Sequence, residues 1–363
     1  MLWAKQSRHN NAPVNSTSPS ILAKICRLLT CYSHVIVTSM LVLNSTNAAE
    51  IYTTETLSIE HRSPLLNIFS FSRPDFSLNS HNGAFHWRSR LEVVNYISAT
   101  HKDNDILILD GETLLIENAI QYQLNQQLQL KVTLPWMTHH DGFLDRFIYA
   151  FHNILQLPQN GRTEDRHNEM LWALYSNNQE IISSTSASQG IGDVRINISW
   201  TPPEAANIQL SGLLKVPSGN IEKFTGSEQI DAGFSYLHQN PNWFADRSYL
   251  IDTALSLWYG AGFTFIGKTK LYDNFQQRAG TFTARVGSGW LVKPDWQIKM
   301  QFDTNSPLFK TKIRELGWYP VQLSFSSVHT INDKTAFDFV IVEDLRPRSA
   351  PDVIFSFGLK LKL

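Results

Sequence analysis

The chain has 363 residues, enough for one large β-domain or two ordinary domains, and its 31 Lys and Arg nearly balance 32 Asp and Glu. That balance excludes the basic surplus of a nucleic-acid-binding protein. Mean hydropathy is slightly negative, which excludes a helical membrane protein but not a transmembrane barrel, where half the strand positions face a polar lumen.

Residues 1–49 read as a leader carrying a signal peptide that is removed. Lys24 and Arg27 precede an apolar run from Val35 to Leu43, and the small residues Thr46, Ala48 and Ala49 follow, so cleavage is expected after Ala48 or Ala49. The run is too short for an uncleaved anchor, and extending it back to Ile21 takes in both charges. The polar first 20 residues also allow a later start site. Both cysteines, Cys26 and Cys31, fall in the leader, which leaves the mature chain without a thiol for a disulfide, a zinc site or a nucleophile. Residues 50–82 are mixed and turn-rich, an N-terminal segment with no assigned place.

From residue 83 onward a period of two takes over. The first strand, 83–97, sets Phe85, Trp87, Leu91 and Val93 against His86, Arg88, Arg90 and Glu92. A hairpin over 114–136 follows. One arm carries Leu114, Ile116, Ile120, Tyr122 and Leu124; the other carries Leu128, Leu130, Val132, Leu134 and Trp136, with Asn125-Gln126 at the turn. Each arm has the length of a tilted membrane-crossing strand. The alternation recurs at 190–200, 207–216, 229–238, 249–259, 281–292, 296–303, 319–327 and 335–343. It ends with Val353, Phe355, Phe357, Leu359, Leu361 and Leu363. The expected fold is therefore all-β: a single twelve-stranded antiparallel up-and-down transmembrane barrel over 83–363, in the bacterial outer membrane. Twelve is even, as single-chain barrels of this kind require. Most connections alternate as well, short at 125–126, 201–206, 239–248, 293–295 and 328–334, longer at 137–189, 217–228, 260–280 and 304–318, with 344–352 the exception at a moderate length. Short turns on one rim and long loops on the other is the outer-membrane arrangement. The terminal strand resembles the one read by the outer-membrane assembly machinery, although Leu363 replaces the usual final aromatic residue.

One stretch has helical spacing. Within 142–157, Phe143, Phe147 and Phe151, with Ile148, Ile154 and Leu155, fall on one side, and Pro158 ends the run. This amphipathic helix in a long external loop either covers the barrel mouth or acts as a plug or lid, with Phe143, Phe147, Phe151, His152 and Arg162 as its candidate residues. The run Phe143-Leu144-Asp145-Arg146-Phe147, with Phe151-His152, Leu157-Pro158 and Gly161-Arg162, resembles a proteobacterial family described only as a domain of unknown function. Ile191-Gly192-Asp193-Val194 and Leu214-Lys215-Val216-Pro217-Ser218-Gly219 fit the same family. The resemblance implies an outer-membrane barrel and carries no activity or catalytic residue with it. The strand opening at Gly192-Asp193-Val194 is also similar to a wider set of outer-membrane transporters.

With the apolar rows against lipid, Lys131, Asp193, Arg195, Lys215, Asp231, Arg285, Lys299 and Asp303 face the lumen. They serve either as a neutralising network that fills a narrow barrel or as a polar path that selects solutes. His139-His140-Asp141, His152 and His167 lack the ligand spacing of a metal site, and no cofactor is implied. Tyr175-Ser176-Asn177 echoes a lipid-active barrel enzyme, but no base stands beside it on a strand. The sequence thus supports a non-enzymatic narrow channel or transporter for an unidentified small solute. The alternatives are a non-transporting structural or interaction barrel working through 137–189, or, less favoured, a lipid-active enzyme.

Overall fold

A computed structural model describes residues 55–75, 82–156, 168–240, 255–273 and 275–363. The expected leader, 1–49, lies outside the described residues. Twelve strands form the wall: β1 (Phe85–Lys102), β2 (Asp105–Gln123), β3 (Leu128–His140), β4 (Val194–Trp200), β5 (Ile208–Val216), β6 (Asp231–Asn240), β7 (Leu255–Phe265), β8 (Gly280–Lys293), β9 (Trp296–Asn305), β10 (Val321–Asn332), β11 (Thr335–Asp344) and β12 (Val353–Lys362). Each pairs antiparallel with its sequence neighbours. The sheet closes where β12 meets β1, with Trp87 opposite Leu361 and Val93 opposite Phe355. Closure leaves the barrel wall without an edge, which is the condition for crossing a lipid bilayer with strands.

The period of two decides which way each side chain points. Ile120, Leu134, Ile198, Phe234, Phe282 and Val286 are exposed on the outer surface, where an aqueous protein would not place such rows. Trp200 and Trp290 stand near the short-turn rim and Trp136 and Tyr319 toward the other, the positions of interfacial girdles. Charged and polar side chains of the same strands are buried inside.

Strand limits differ from expectation in places. β1 and β2 run beyond the barrel to a tight turn at Asp103-Asn104, where Asp103 has φ 55. The alternation of Ile106 and Ile108 outward with Leu107 and Leu109 inward carries the pairing on. Part of the expected 137–189 loop is β-structure: a hairpin, Leu171–Ser176 with Gln179–Ser184, adds to the far end of β2, and Ser188–Ile191 adds to β3. The expected strand at 249–259 is found as β7, from Leu255; residues 249–254 lie outside the described set. The helix, α1 (Asp145–Leu155), starts later than expected. The Asp145 carboxylate accepts from the Asn168 amide at 2.8 Å and from Asn95 at 3.1 Å, which fixes that end.

Residues 55–75, assigned no place by the sequence, thread the lumen. They contain no strand and form one turn at 64–69. Leu65, Ile68 and Phe69 pack with Val94, Tyr96, Leu107, Leu109, Trp172, Tyr272 and Phe309 in an apolar cluster on the long-loop side. The Tyr272 hydroxyl donates to the Leu65 carbonyl at 2.8 Å.

Candidate functional site

Below that cluster the lumen is ionic. All eight sequence-predicted charges point inward, and seven of them are buried to below a tenth of their surface, Lys131 being partly exposed. They divide into pairs closed within the wall and groups that grip the threaded segment. Lys215 donates to Asp193 at 2.7 Å, lies 3.1 Å from Asp231 and also donates to the Ile68 carbonyl at 3.1 Å. Asp231 in turn accepts the Ser70 amide at 3.0 Å, and Asp193 accepts the amides of Ser218, Gly219 and Ser227 in the β5–β6 loop. Arg285 is bound by Asp303 at 2.9 Å and donates to the carbonyls of Pro74 and Ile59. Lys299 donates to the Glu55 carbonyl at 2.7 Å, and Lys131 to Asp75 at 2.7 Å. Arg195 pairs with Glu60 and Glu117.

The segment supplies the other half of this lattice. Arg62 reaches Glu92 on β1 and Glu117 on β2; Glu55 meets Arg88 and Lys360; Arg73 lies 3.4 Å from Asp303. Gln301 accepts the Leu57 amide at 3.0 Å and donates to the Leu57 carbonyl at 2.8 Å, and the Trp258 indole holds Gln301 in that position. Glycines on β6 and β7 let the segment lie against the wall: a Cβ at Gly260 would come within 2.7 Å of Pro74 Cβ, one at Gly233 within 2.8 Å of Ser72 Cβ, and one at Gly262 would strike the Ser72 carbonyl oxygen. Burial opposes ionisation of Glu60, but Arg195 and Arg62 outweigh it and hold this carboxyl down to about 2.

Between the segment and strands β1 to β5, β8 and β12 a cavity of about 120 Å³ remains, on the short-turn side of the apolar cluster, where His86 and Gln121 line it. Arg88, Lys131, Arg195 and Lys360 project into it from the wall, and Glu60 and Asp75 from the segment. Sequence periodicity put Arg88, Arg90, Glu92 and Lys360 on the wet faces without singling them out. Glu55, Glu60, Arg62, Arg73 and Asp75 carried no signal beyond charge set among apolar residues, because their segment has no repeat.

The helix stands apart from this site. Phe143, Phe147 and Ile154 are exposed, and the Phe147 ring packs edge-on against Phe355, which belongs to the outward row of β12. The segment 55–75, and not the helix, fills the lumen. The side chains of Phe151 and His152, and all of Arg162 and His167, lie outside the described residues. His139 is engaged by Thr113 at 2.7 Å and by the Phe224 carbonyl at 3.2 Å, and among the described residues no three His, Cys, Asp or Glu come together as metal ligands. The Ser176 hydroxyl donates to Asp105 at 2.6 Å.

A closed barrel with an apolar outer belt and an ionic interior defines a bacterial outer-membrane β-barrel protein. The chain belongs to the family described as "Protein of unknown function (DUF3187)", whose model matches residues 32–363. No curated protein matches the sequence significantly. Among solved structures the chain is similar to the COG4313 outer membrane channel from Pseudomonas putida F1, at 11% identity over 78% of this chain and 97% of that one, TM-score 0.47. It is also similar to the P. putida toluene transporter TodX, at 8% identity over 78% and 91%, TM-score 0.33, and to the NanC porin, at 7% over 77% and 99%, TM-score 0.38.

Proposed function

We propose that this protein is a narrow channel or transporter that passes a small solute once the threaded segment moves aside. The observation that carries this reading is how the segment is held. No residue of 55–75 pairs into the sheet, so the segment can leave without opening the barrel. Its grip consists of side-chain ion pairs, hydrogen bonds and the packing of Leu65, Ile68 and Phe69. A structural filler needs no empty space, whereas here a polar cavity is kept beside the segment. The ring of wall charges is then both the seat of the segment and the lining of the path. The other partners in this reading are the surrounding lipid and the assembly machinery that reads β12.

Planar-bilayer conductance of Gly262→Val tests the proposal. The added side chain occupies the space of the Ser72 carbonyl and prevents the segment from seating, so conductance should rise well above that of the unaltered protein. Folded barrels that conduct in neither form overturn it.

A further inference from the structure

The wall neutralises only some of the cations that line the cavity. Of the wall side chains lining it, Arg88, Arg90, Lys131, Arg195, Arg285 and Lys360 carry positive charge. Wall carboxylates pair with three of them: Asp303 with Arg285, Asp338 with Arg90 at 3.5 Å and Glu117 with Arg195. Arg88, Lys131 and Lys360 take their nearest carboxylates from the segment, Lys360 lying 3.9 Å from Asp338. Two like-charged pairs stand directly opposite each other across neighbouring strands: Arg88 faces Lys360 across the β1–β12 seam, and Arg195 faces Lys215 across β4–β5. Such pairs are unfavourable unless an anion lies with them. At Arg195 and Lys215 the wall supplies anions through Glu117, Asp193 and Asp231. At the seam the threaded segment provides that anion. The Glu55 carboxylate accepts from Lys360 at 2.6 Å and from Arg88 at 3.0 Å. Glu60 does the same for Arg195, and Asp75 for Lys131. Over 55–75 the segment carries these three carboxylates against two cations, Arg62 and Arg73, so its withdrawal takes away more negative than positive charge and uncovers Arg88, Lys131 and Lys360.

We propose that these wall cations form a track for small organic anions bearing carboxylates, and that Glu55, Glu60 and Asp75 occupy the places such a solute takes. The inference rests on the channel reading and names its solute class. An anion entering the cavity competes with the segment's carboxylates for Arg88, Lys131, Arg195 and Lys360, which loosens the segment and opens the path ahead of it. The segment is thus an internal competitor whose chemistry copies the cargo.

The test uses the full chain in planar bilayers under a KCl gradient, comparing the unaltered protein with the triple variant Glu55→Gln, Glu60→Gln, Asp75→Asn, and adding succinate on the short-turn side. Each charge-assisted contact removed should raise the open fraction about tenfold. The expected currents favour chloride over potassium, and succinate should increase the conductance of the unaltered protein. Conducting barrels that prefer potassium, or that show no preference, overturn the anion track while leaving the channel reading intact. Silence of every form overturns the channel reading. Calorimetry of succinate on the triple variant then decides the track by itself: binding supports it and absence of binding overturns it. Where the triple variant gives no compact unboiled species on a gel, Glu55→Gln alone carries the same comparison.

Discussion

Arg62 Nε donates to the Glu92 carboxylate at 2.6 Å, joining the threaded segment to the first strand of the wall. Nη2 of the same guanidinium donates to Glu117 on the neighbouring strand at 2.9 Å, and Nη1 to Glu60 at 3.1 Å. One planar fork therefore neutralises two wall carboxylates and one of the segment's own, a geometry that a lysine ammonium does not reproduce.

Truncation at Arg62 should be costly for that reason. Arg62→Ala leaves Glu92 buried without its cation, and breaking a buried pair from one side costs about 3–5 kcal/mol. The expected readout is a lower temperature for loss of the compact, unboiled species on a gel. Adding Glu92→Gln should recover part of the loss. An Arg62→Ala barrel that melts with the unaltered protein would show that the segment does not neutralise the wall.

Lipid contact makes a second prediction, at the middle of β8. Val286 is half exposed on the outer surface, whereas its neighbour Arg285 is buried in the lumen. Val286→Arg puts a charge into hydrocarbon and should cost about 2–4 kcal/mol, the penalty at the bilayer midplane. Unfolding in urea from lipid vesicles, followed by tryptophan fluorescence, measures it. A value near zero would mean that this row faces water.

Acidification should loosen the threaded segment through His61. Nε2 of this ring donates to the Ser349 carbonyl at 2.9 Å, and Nδ1 accepts the Ser63 amide at 3.3 Å, so the ring is neutral. Burial pushes its pKa down to about 4 from the usual 6.5, and the nearby Arg73 adds to the fall. A group whose folded value is depressed lends stability that is present in full above the unfolded value and is lost as pH falls through the folded one. The window is therefore pH 6.5 to about 4. Thermal stability should decline across it, and His61→Gln, which keeps a donor without titrating, should flatten the decline. An unchanged slope in that variant would assign the effect to other groups.

How much of this was legible in the sequence depended on whether the information was local. The pair Val286 and Arg285 shows the legible kind: alternation along one strand is enough to send one to lipid and the other inward, once burial is the governing term. The eight luminal charges were found that way, and so was the number of strands. The rim hairpin at Leu171–Ser176 was missed because its pairing partner is the far end of β2, more than sixty residues earlier, and its own apolar run is short. The helix was found from its spacing, but spacing cannot tell a face turned to the lumen from one turned outward, and Phe147 rests beside the outward Phe355.

The sequence by itself determined the wall: strands, their faces, the closed sheet and hence the membrane. These follow from a repeat of two read against a bilayer, which needs no knowledge of distant contacts. Only the tertiary structure decided what fills the wall. Leu57 meets Gln301 across 244 residues, and Glu55 meets Lys360 across 305. A segment without periodicity has its place set by partners that become neighbours after the barrel has closed, so its carboxylates acquire their role from geometry that no local pattern encodes.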